Sequence, residues 1–419
     1  MVHSERMKKF RSIGKRLMPF LIISLCFIVL GSLALKPGKE FQVDTYKKDG
    51  QYDPVIAMDK KGNFVITWAS EGKDGSGYGI SAQRFNKQGK ALGKEFQVNS
   101  STEKNQGIPD IAMDPKGNFV ITWGSSAEEG FFAGDIYAQR FNKKGKALGK
   151  EFRVNTCTND VQMRPAIAMD KSGNFVITWD SNFQDSSNQG IFAQRYSKKG
   201  IVLGSEFQVN TTTWALQMIP DIAMDPKGNF AIVWEASEQE GMAMDVFAQV
   251  FTKYGQANGP EFRVNTHTVD YQVKPAICMD KKGNFIITWE SYDQDEQYTY
   301  GVYAQRFNKT GKALGKEFRV NTFTDSQQNY SAIAINTKGI FVITWVSSRQ
   351  HGYTTGIYAQ KFNKSGKTLG SEIQVSTLIK FDQWRPAVAI DGKGNFVITW
   401  DSRDQDGTKS GIFAKMFKK

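Results

Sequence analysis

The sequence predicts an all-β protein, a seven-bladed β-propeller with four-stranded blades. Three observations predict it: a tryptophan recurring at a fixed interval, a phrase repeated around it, and chain ends offset from the repeat. Tryptophans stand at Trp68, Trp123, Trp179, Trp234, Trp289, Trp345 and Trp400, successive copies lying 55 or 56 residues apart. Each closes GNFVITW or a near variant and follows an IAMD-like segment. After it come a variable polar stretch, a GIYAQRFN-like segment and KxGKALGxEFQVN. Self-similarity at such a period marks a stacked or radial repeat.

Within one repeat the segments are short, rich in Val, Ile, Phe, Tyr and Thr, and bounded by Gly, Asn, Asp and Lys, so each reads as a strand. In the GNFVITW strand, Phe64, Ile66 and Trp68 share one face and Val65 and Thr67 the other, because side chains alternate along a strand. Neither face is charged, which predicts cover on both sides. Two-residue alternation excludes a helical repeat, and four radial strands per repeat is the propeller arrangement. The repeated Trp is a core wedge, burying roughly 150–250 Å² for a gross gain of about 4–6 kcal/mol. EFQV-type segments begin at Glu40, Glu95, Glu151, Glu206, Glu261, Glu317 and Glu372, the first ahead of the first Trp, while the chain ends just after GIFAKMF. Strand Glu40–Val43 is therefore expected to complete the last blade and close a ring spanning 38–417, leaving no unpaired edge.

Residues 1–34 are set apart from the repeats. Arg6, Lys8, Lys9, Arg11, Lys15 and Arg16 precede the apolar run Phe20–Leu30, and Ser32-Leu33-Ala34 offers a small-x-small cleavage site. This reads as a secretory signal, placing the protein in the periplasm, at the cell surface or outside the cell. Two alternatives stand beside it: an uncleaved anchor over Pro19–Leu35, and a lipoprotein at Cys26, where Leu25 departs from the small residue wanted; contact with the membrane is expected only through this N-terminal segment. Removing residues 1–34 takes away six basic residues and Glu5, lowering the net charge from +12 to +7. The remaining lysines gather in the turns before GNF and before EFQV, on one face of the disc, where they serve solubility or attract anionic polymer. Lysines without interleaved aromatics or arginines do not predict nucleic-acid binding. Cys157 and Cys278 fall in different blades, so no disulfide framework is expected, and the chain is expected to be a monomer.

The opposite face collects the loops that differ most between copies, the pattern of a site grafted on a scaffold. Trp214 and Trp384, the two tryptophans outside the repeat phase, fall there with Tyr52, Phe132, Tyr298 and Tyr330. This set is the candidate binding surface for a glycan or an envelope or surface protein. A second recurring element, Gln-x-x-Pro, precedes the innermost strand in six copies, with Gln328 and Ser331 in the remaining one. Its regularity predicts an amide hydrogen-bonded across blades. In the last blade, DSRDQDG offers Asp404 and Asp406 as candidate Ca²⁺ ligands, although the spacing departs from the D-x-[DN]-x-[DN]-G series. No other cofactor is indicated. The histidines are His3, His267 and His351, and no nucleophile–base order emerges. Glu235 and Glu290, each following its Trp, are the carboxylates a glycosidase would draw on.

The phrase FQVNT…Q-x-x-P-x-IAMD-x-x-GNFVITW…GIYAQRFN resembles a repeat of bacterial exported and cell-surface β-propeller proteins. The resemblance covers about 38–417 and implies the propeller and export, with no activity or site residue to carry over. Ile340 for Asn in GNF, and Lys361 or Val250 for Arg in YAQRF, depart from the phrase in single blades. Two functions remain: a non-catalytic binding propeller using the variable aromatic face, and a carbohydrate-active enzyme, glycosidase- or sialidase-like, with a site over the central channel.

Overall fold

The computed structural model describes residues 35–103, 105–126, 134–158, 160–185, 188–213, 215–237, 243–378, 380–407 and 409–419. The proposed signal segment lies outside them. Seven four-stranded antiparallel sheets make seven blades of a β-propeller. Six are continuous in sequence, their innermost strands being Gln51–Met58, Asn105–Met113, Gln162–Met169, Gln217–Met224, Gln272–Met279 and Gln328–Ile335. The seventh joins Gln383–Ile390, Phe396–Arg403 and Ser410–Lys418 to Lys36–Gln42 from the other end of the chain. Ring closure by the N-terminal strand is thus observed, and the strand starts earlier than Glu40.

Each GNFVITW strand is buried along its length, as its uncharged faces predict. The turn before it is fixed locally. Asp59 Oδ1 accepts the Lys61 and Asn63 backbone N–H groups at 2.8 and 2.9 Å, and Gly62 takes φ +87°, a conformation open to glycine. Lys87 N donates to Asn63 Oδ1 at 3.2 Å, so the two lysine-bearing turns share one face.

Blades are joined by three repeated contacts. The Phe of one blade's outer strand packs on an aromatic ring of the next blade, as in Phe96–Phe141 at 5.5 Å and Phe152–Tyr196 at 5.3 Å. Phe41 on Phe85, at 5.7 Å, makes the same contact across the closure. The Glu of EFQV accepts a backbone N–H from the segment after the preceding blade: Thr45 to Glu95 at 2.7 Å, Ser100 to Glu151 at 2.6 Å, and Thr377 to Glu40 at 3.1 Å across the closure. On the lysine face, Arg84, Arg140, Arg195 and Arg306 each donate to a carbonyl of the next blade.

The Gln-x-x-Pro glutamine corrects an expectation. Its bond runs within the blade. The Trp indole N–H donates to Gln Oε1 in Trp68–Gln51, Trp179–Gln162, Trp234–Gln217, Trp289–Gln272 and Trp345–Gln328, at 2.6–3.2 Å. A fully buried indole N–H needs an acceptor, and the adjacent strand supplies it. Gln106 alone fits the cross-blade reading, taking Asn99 Nδ2 of the preceding blade at 2.9 Å. We expect Gln272→Leu to cost about 1–3 kcal/mol by stranding the Trp289 N–H, measured as the shift of a urea unfolding midpoint. An unchanged midpoint would deny the pair a structural role.

Candidate functional site

Every innermost strand breaks register at one place. In the first blade Tyr52 pairs with Ala69 and Val55 with Thr67, so Asp53 and Pro54 together oppose Trp68. This is a β-bulge, and proline is tolerated there because the ladder is already interrupted. The first bulge residue has positive φ in all seven blades: Asp53, Ile108, Arg164, Ile219, Lys274, Tyr330 and Arg385, at 49–54°. None is glycine, and each such backbone costs on the order of 1–2 kcal/mol. Uniform strain under five kinds of side chain points to a scaffold that presents variable chemistry at the channel mouth.

The residue after each repeated Trp faces this bulge. Where it is acidic it secures the next blade. Glu235 accepts the Lys274 backbone N–H at 2.7 Å, Glu290 accepts that of Tyr330 at 2.6 Å, and Asp180 accepts that of Ile219. Lys274 Nζ and Arg164 Nη1 bridge to Glu290 and Asp180 at 3.3 and 3.1 Å within their own blades. Burial pushes Asp180 and Glu290 up to about 7 against these cations. Glu235 and Glu290, the sequence's carboxylate candidates, are thereby committed to holding bulges.

The last blade departs from this pattern. Asp401 is 2% exposed, yet its Oδ1 has no hydrogen-bond partner among the described residues. Its nearest cation, Arg385 Nη1, is 4.0 Å away, because Arg385 Nε turns to Asp53 Oδ1 at 2.8 Å. Burial pushes Asp401 up to about 8, with Arg385 opposing and Asp53 reinforcing. Burial raises Asp53 too, opposed by Arg385. Burial works against the Arg385 charge, but Asp53 and Asp401 outweigh it and raise its pKa. Trp384 Nε1, and the Trp400 Nε1 and Gln383 Oε1 that would form this blade's indole–amide bond, are likewise buried without partners among the described residues.

Asp401, Arg385, Asp53 and Trp384 border a pocket of about 380 Å³ lined also by Tyr52, Ala69, Tyr78, Tyr330 and Arg403. Tyr330 meets Trp384 edge-on at 5.8 Å, and Tyr52 leans on Tyr78 at 6.1 Å. Lys274 Nζ lies 4.1 Å from the Tyr330 ring centroid, a cation–π contact fixing that ring from behind.

Three of the six predicted aromatics, Tyr52, Tyr330 and Trp384, converge here. They stand on innermost strands, in or beside the bulges, and not in the loops expected from sequence. Tyr298 is not among the pocket's lining residues; it sits in a loop, 68% exposed, its N–H held by Asp293. Trp214 and Phe132 lie outside the described residues. Asp406 accepts a hydrogen bond from Gln42 of the closing strand, and Asp404 occupies a turn with φ +52°. Among the described residues no group of three or more His, Cys, Asp or Glu is arranged to hold a metal ion. Asp53, Tyr78, Arg385, Asp401 and Arg403 were missed. The signal for Asp53, Arg385 and Asp401 was present: the second middle position of Gln-x-x-Pro, and the residue after Trp, change charge between otherwise uniform copies.

No protein-family model and no curated protein matches the chain. Solved structures are similar to it. A protein of unknown function from Dyadobacter fermentans has a TM-score of 0.54 at 11% identity, covering 92% of this chain and 99% of that one. The GH93 α-L-arabinofuranosidase of Fusarium graminearum, in complex with arabinobiose, has 0.51 at 12% identity, covering 76% and 95%. Raptor of Chaetomium thermophilum has 0.52 at 10% identity, covering 89% of this chain and 28% of that one. At such identities the likeness is one of fold, and the fold is the β-propeller.

Proposed function

We propose that the protein is a non-catalytic saccharide-binding propeller of the bacterial cell envelope or exterior, with its ligand in the pocket between the last and first blades. The observation that carries this reading is an aromatic-walled pocket bordered by buried polar atoms, Asp401 Oδ1 and Trp384 Nε1, that no described protein group satisfies. Buried polar atoms are otherwise paired, and sugar hydroxyls supply both donors and acceptors. Tyr52, Tyr78, Tyr330 and Trp384 provide the apolar faces against which a pyranose or furanose ring stacks. The volume is within the usual range for small-ligand sites. The basic and apolar segment over residues 1–34 supports export. Titration of the purified protein against an oligosaccharide panel tests the proposal. Trp384→Ala is expected to weaken binding about tenfold or more through the lost ring, with its melting curve checked against the parent. Binding unchanged in Trp384→Ala sinks the site.

A second reading has its own support. Burial pushes Asp401 up to about 8, and Asp53, ion-paired with Arg385 at 2.8 Å, lines the same pocket, so one pocket holds the two carboxyl groups that glycoside hydrolysis draws on. Release of reducing ends that stops in Asp401→Asn would favour hydrolysis over simple binding.

A further inference from the structure

We propose that the pocket selects saccharides bearing an anionic group, and that Arg403 is the residue that reads it. This rests on the saccharide-binding reading of the same pocket. Arg403 is the third residue after the repeated Trp of the last blade. The other copies have Glu71, Ser126, Asn182, Ser237, Tyr292 and Ser348 there, so only this blade places a cation at that position.

Its backbone is fixed, paired with Ser410 and donating its N–H to Asp382 O at 3.0 Å. Arg403 lines the pocket and its charge acts on Asp401, yet among the described residues it makes no ion pair. Neighbouring cations are committed. Arg385 is held by Asp53 at 2.8 Å, and Lys409, on the same seam between blades, is held by Glu71 at 2.7 Å. Several arginines near the variable face elsewhere are paired, as in Arg319–Asp295 at 3.3 Å and Arg164–Asp180 at 3.1 Å.

The charge balance of the pocket supports the same conclusion. Arg385 and Asp53 cancel, and Asp401 holds a proton near neutral pH. Arg403 is the charge left over. A guanidinium beside aromatic walls binds a planar carboxylate through paired hydrogen bonds and accepts sulfate or phosphate oxygens by the same geometry. Uronic acids, sulfated sugars and phosphorylated sugars share this chemistry.

The test is calorimetric titration of the purified protein with matched oligosaccharides in neutral, uronic acid, sulfated and phosphorylated forms at fixed ionic strength. Parent, Arg403→Ala, Arg403→Lys and Trp384→Ala proteins are compared, and melting curves confirm that each is folded. The readout is the affinity ratio of charged to neutral ligand. At least one anionic form is expected to bind about tenfold or more tighter than its neutral counterpart in the parent, and the form preferred identifies the group. The ratio should fall towards one in Arg403→Ala and recover in part in Arg403→Lys. Equal affinity for neutral and charged forms, or a preference that survives Arg403→Ala, overturns the inference while leaving saccharide binding in place. Binding of no saccharide, or binding untouched by Trp384→Ala, overturns the underlying reading as well.

Discussion

Deletion of residues 35–43 is expected to open the ring and abolish cooperative folding of the last blade, the largest single effect available in this protein. Among the described residues, Lys36–Gln42 is the only partner of the outer edge of Ser410–Lys418. Phe41 packs on Phe85 at 5.7 Å and Val43 is 3% exposed in the core cluster that joins the last and first blades. Just beyond the deletion, Asp44 accepts the Ile412 N–H at 2.6 Å, a bond the truncated strand can no longer position. A fully buried Val such as Val43 contributes about 1.5–3 kcal/mol, and the half-buried Phe41 adds part of such a term. Together with the lost ladder, that is a large part of the 5–15 kcal/mol that typically separates folded from unfolded chains. The freed edge is also a template for another chain, so the truncated protein should elute from a sizing column as concentration-dependent oligomers and unfold at a much lower urea concentration. A synthetic peptide of residues 35–45 should restore the monomer in trans. A truncated protein that stays monomeric with an unshifted midpoint would show that closure contributes little.

Fold and site differ in how far they could be read from the residues alone. The blades are legible because each must repeat the same solution: a buried Trp, a DxxGN turn and an EFQV edge at constant spacing. The offset of Glu40 and Lys419 from that spacing already implies closure. The Gln–Trp bond is half-legible. The pair recurs 17 residues apart, as Gln51 and Trp68 do, but recurrence does not say whether the amide turns into its own blade or the next. The site is hidden by its backbone. A residue before proline is normally extended, so nothing in Tyr52-Asp53-Pro54 or Trp384-Arg385-Pro386 announces a left-handed residue. Since one inserted residue reverses which side chains face which side, the bulge moves Tyr52 and Trp384 from supposed loops to the channel mouth. Asp401 differs in charge from its counterparts in some other copies, but that variation does not set it apart from Asp180, Glu235 and Glu290. Its position reads as one more strand end, and what marks it is the absence of the partner that Asp180, Glu235 and Glu290 possess.

Stability should fall as pH rises from about 5 to 8.5, opposite to the acid lability of most proteins. Burial pushes Asp44 and Asp221 up to about 6, Asp110, Asp180 and Glu290 to about 7, and Asp401 to about 8. Asp110 is raised further by Asp221. A carboxyl group whose pKa is raised on folding holds its proton more tightly in the folded chain. Its contribution is complete below the unfolded value near 4 and is lost as pH climbs through the folded value. A tenfold change in proton affinity is about 1.4 kcal/mol, so two or three of these groups suffice to lower the melting midpoint by about 5 °C. Asp401→Asn is the diagnostic variant. Its Oδ1 has no hydrogen bond to lose, and the amide copies the shape of the protonated acid without its titration. It should match the parent near pH 5 and melt higher at pH 8.5. A parent midpoint that rises across the interval, or a variant that tracks the parent throughout, would mean that Asp401 ionises with ease and that water or a neighbouring group reaches the orphaned oxygen. In that case the pocket would present a carboxylate at neutral pH, and the charge left to Arg403 would already be spent.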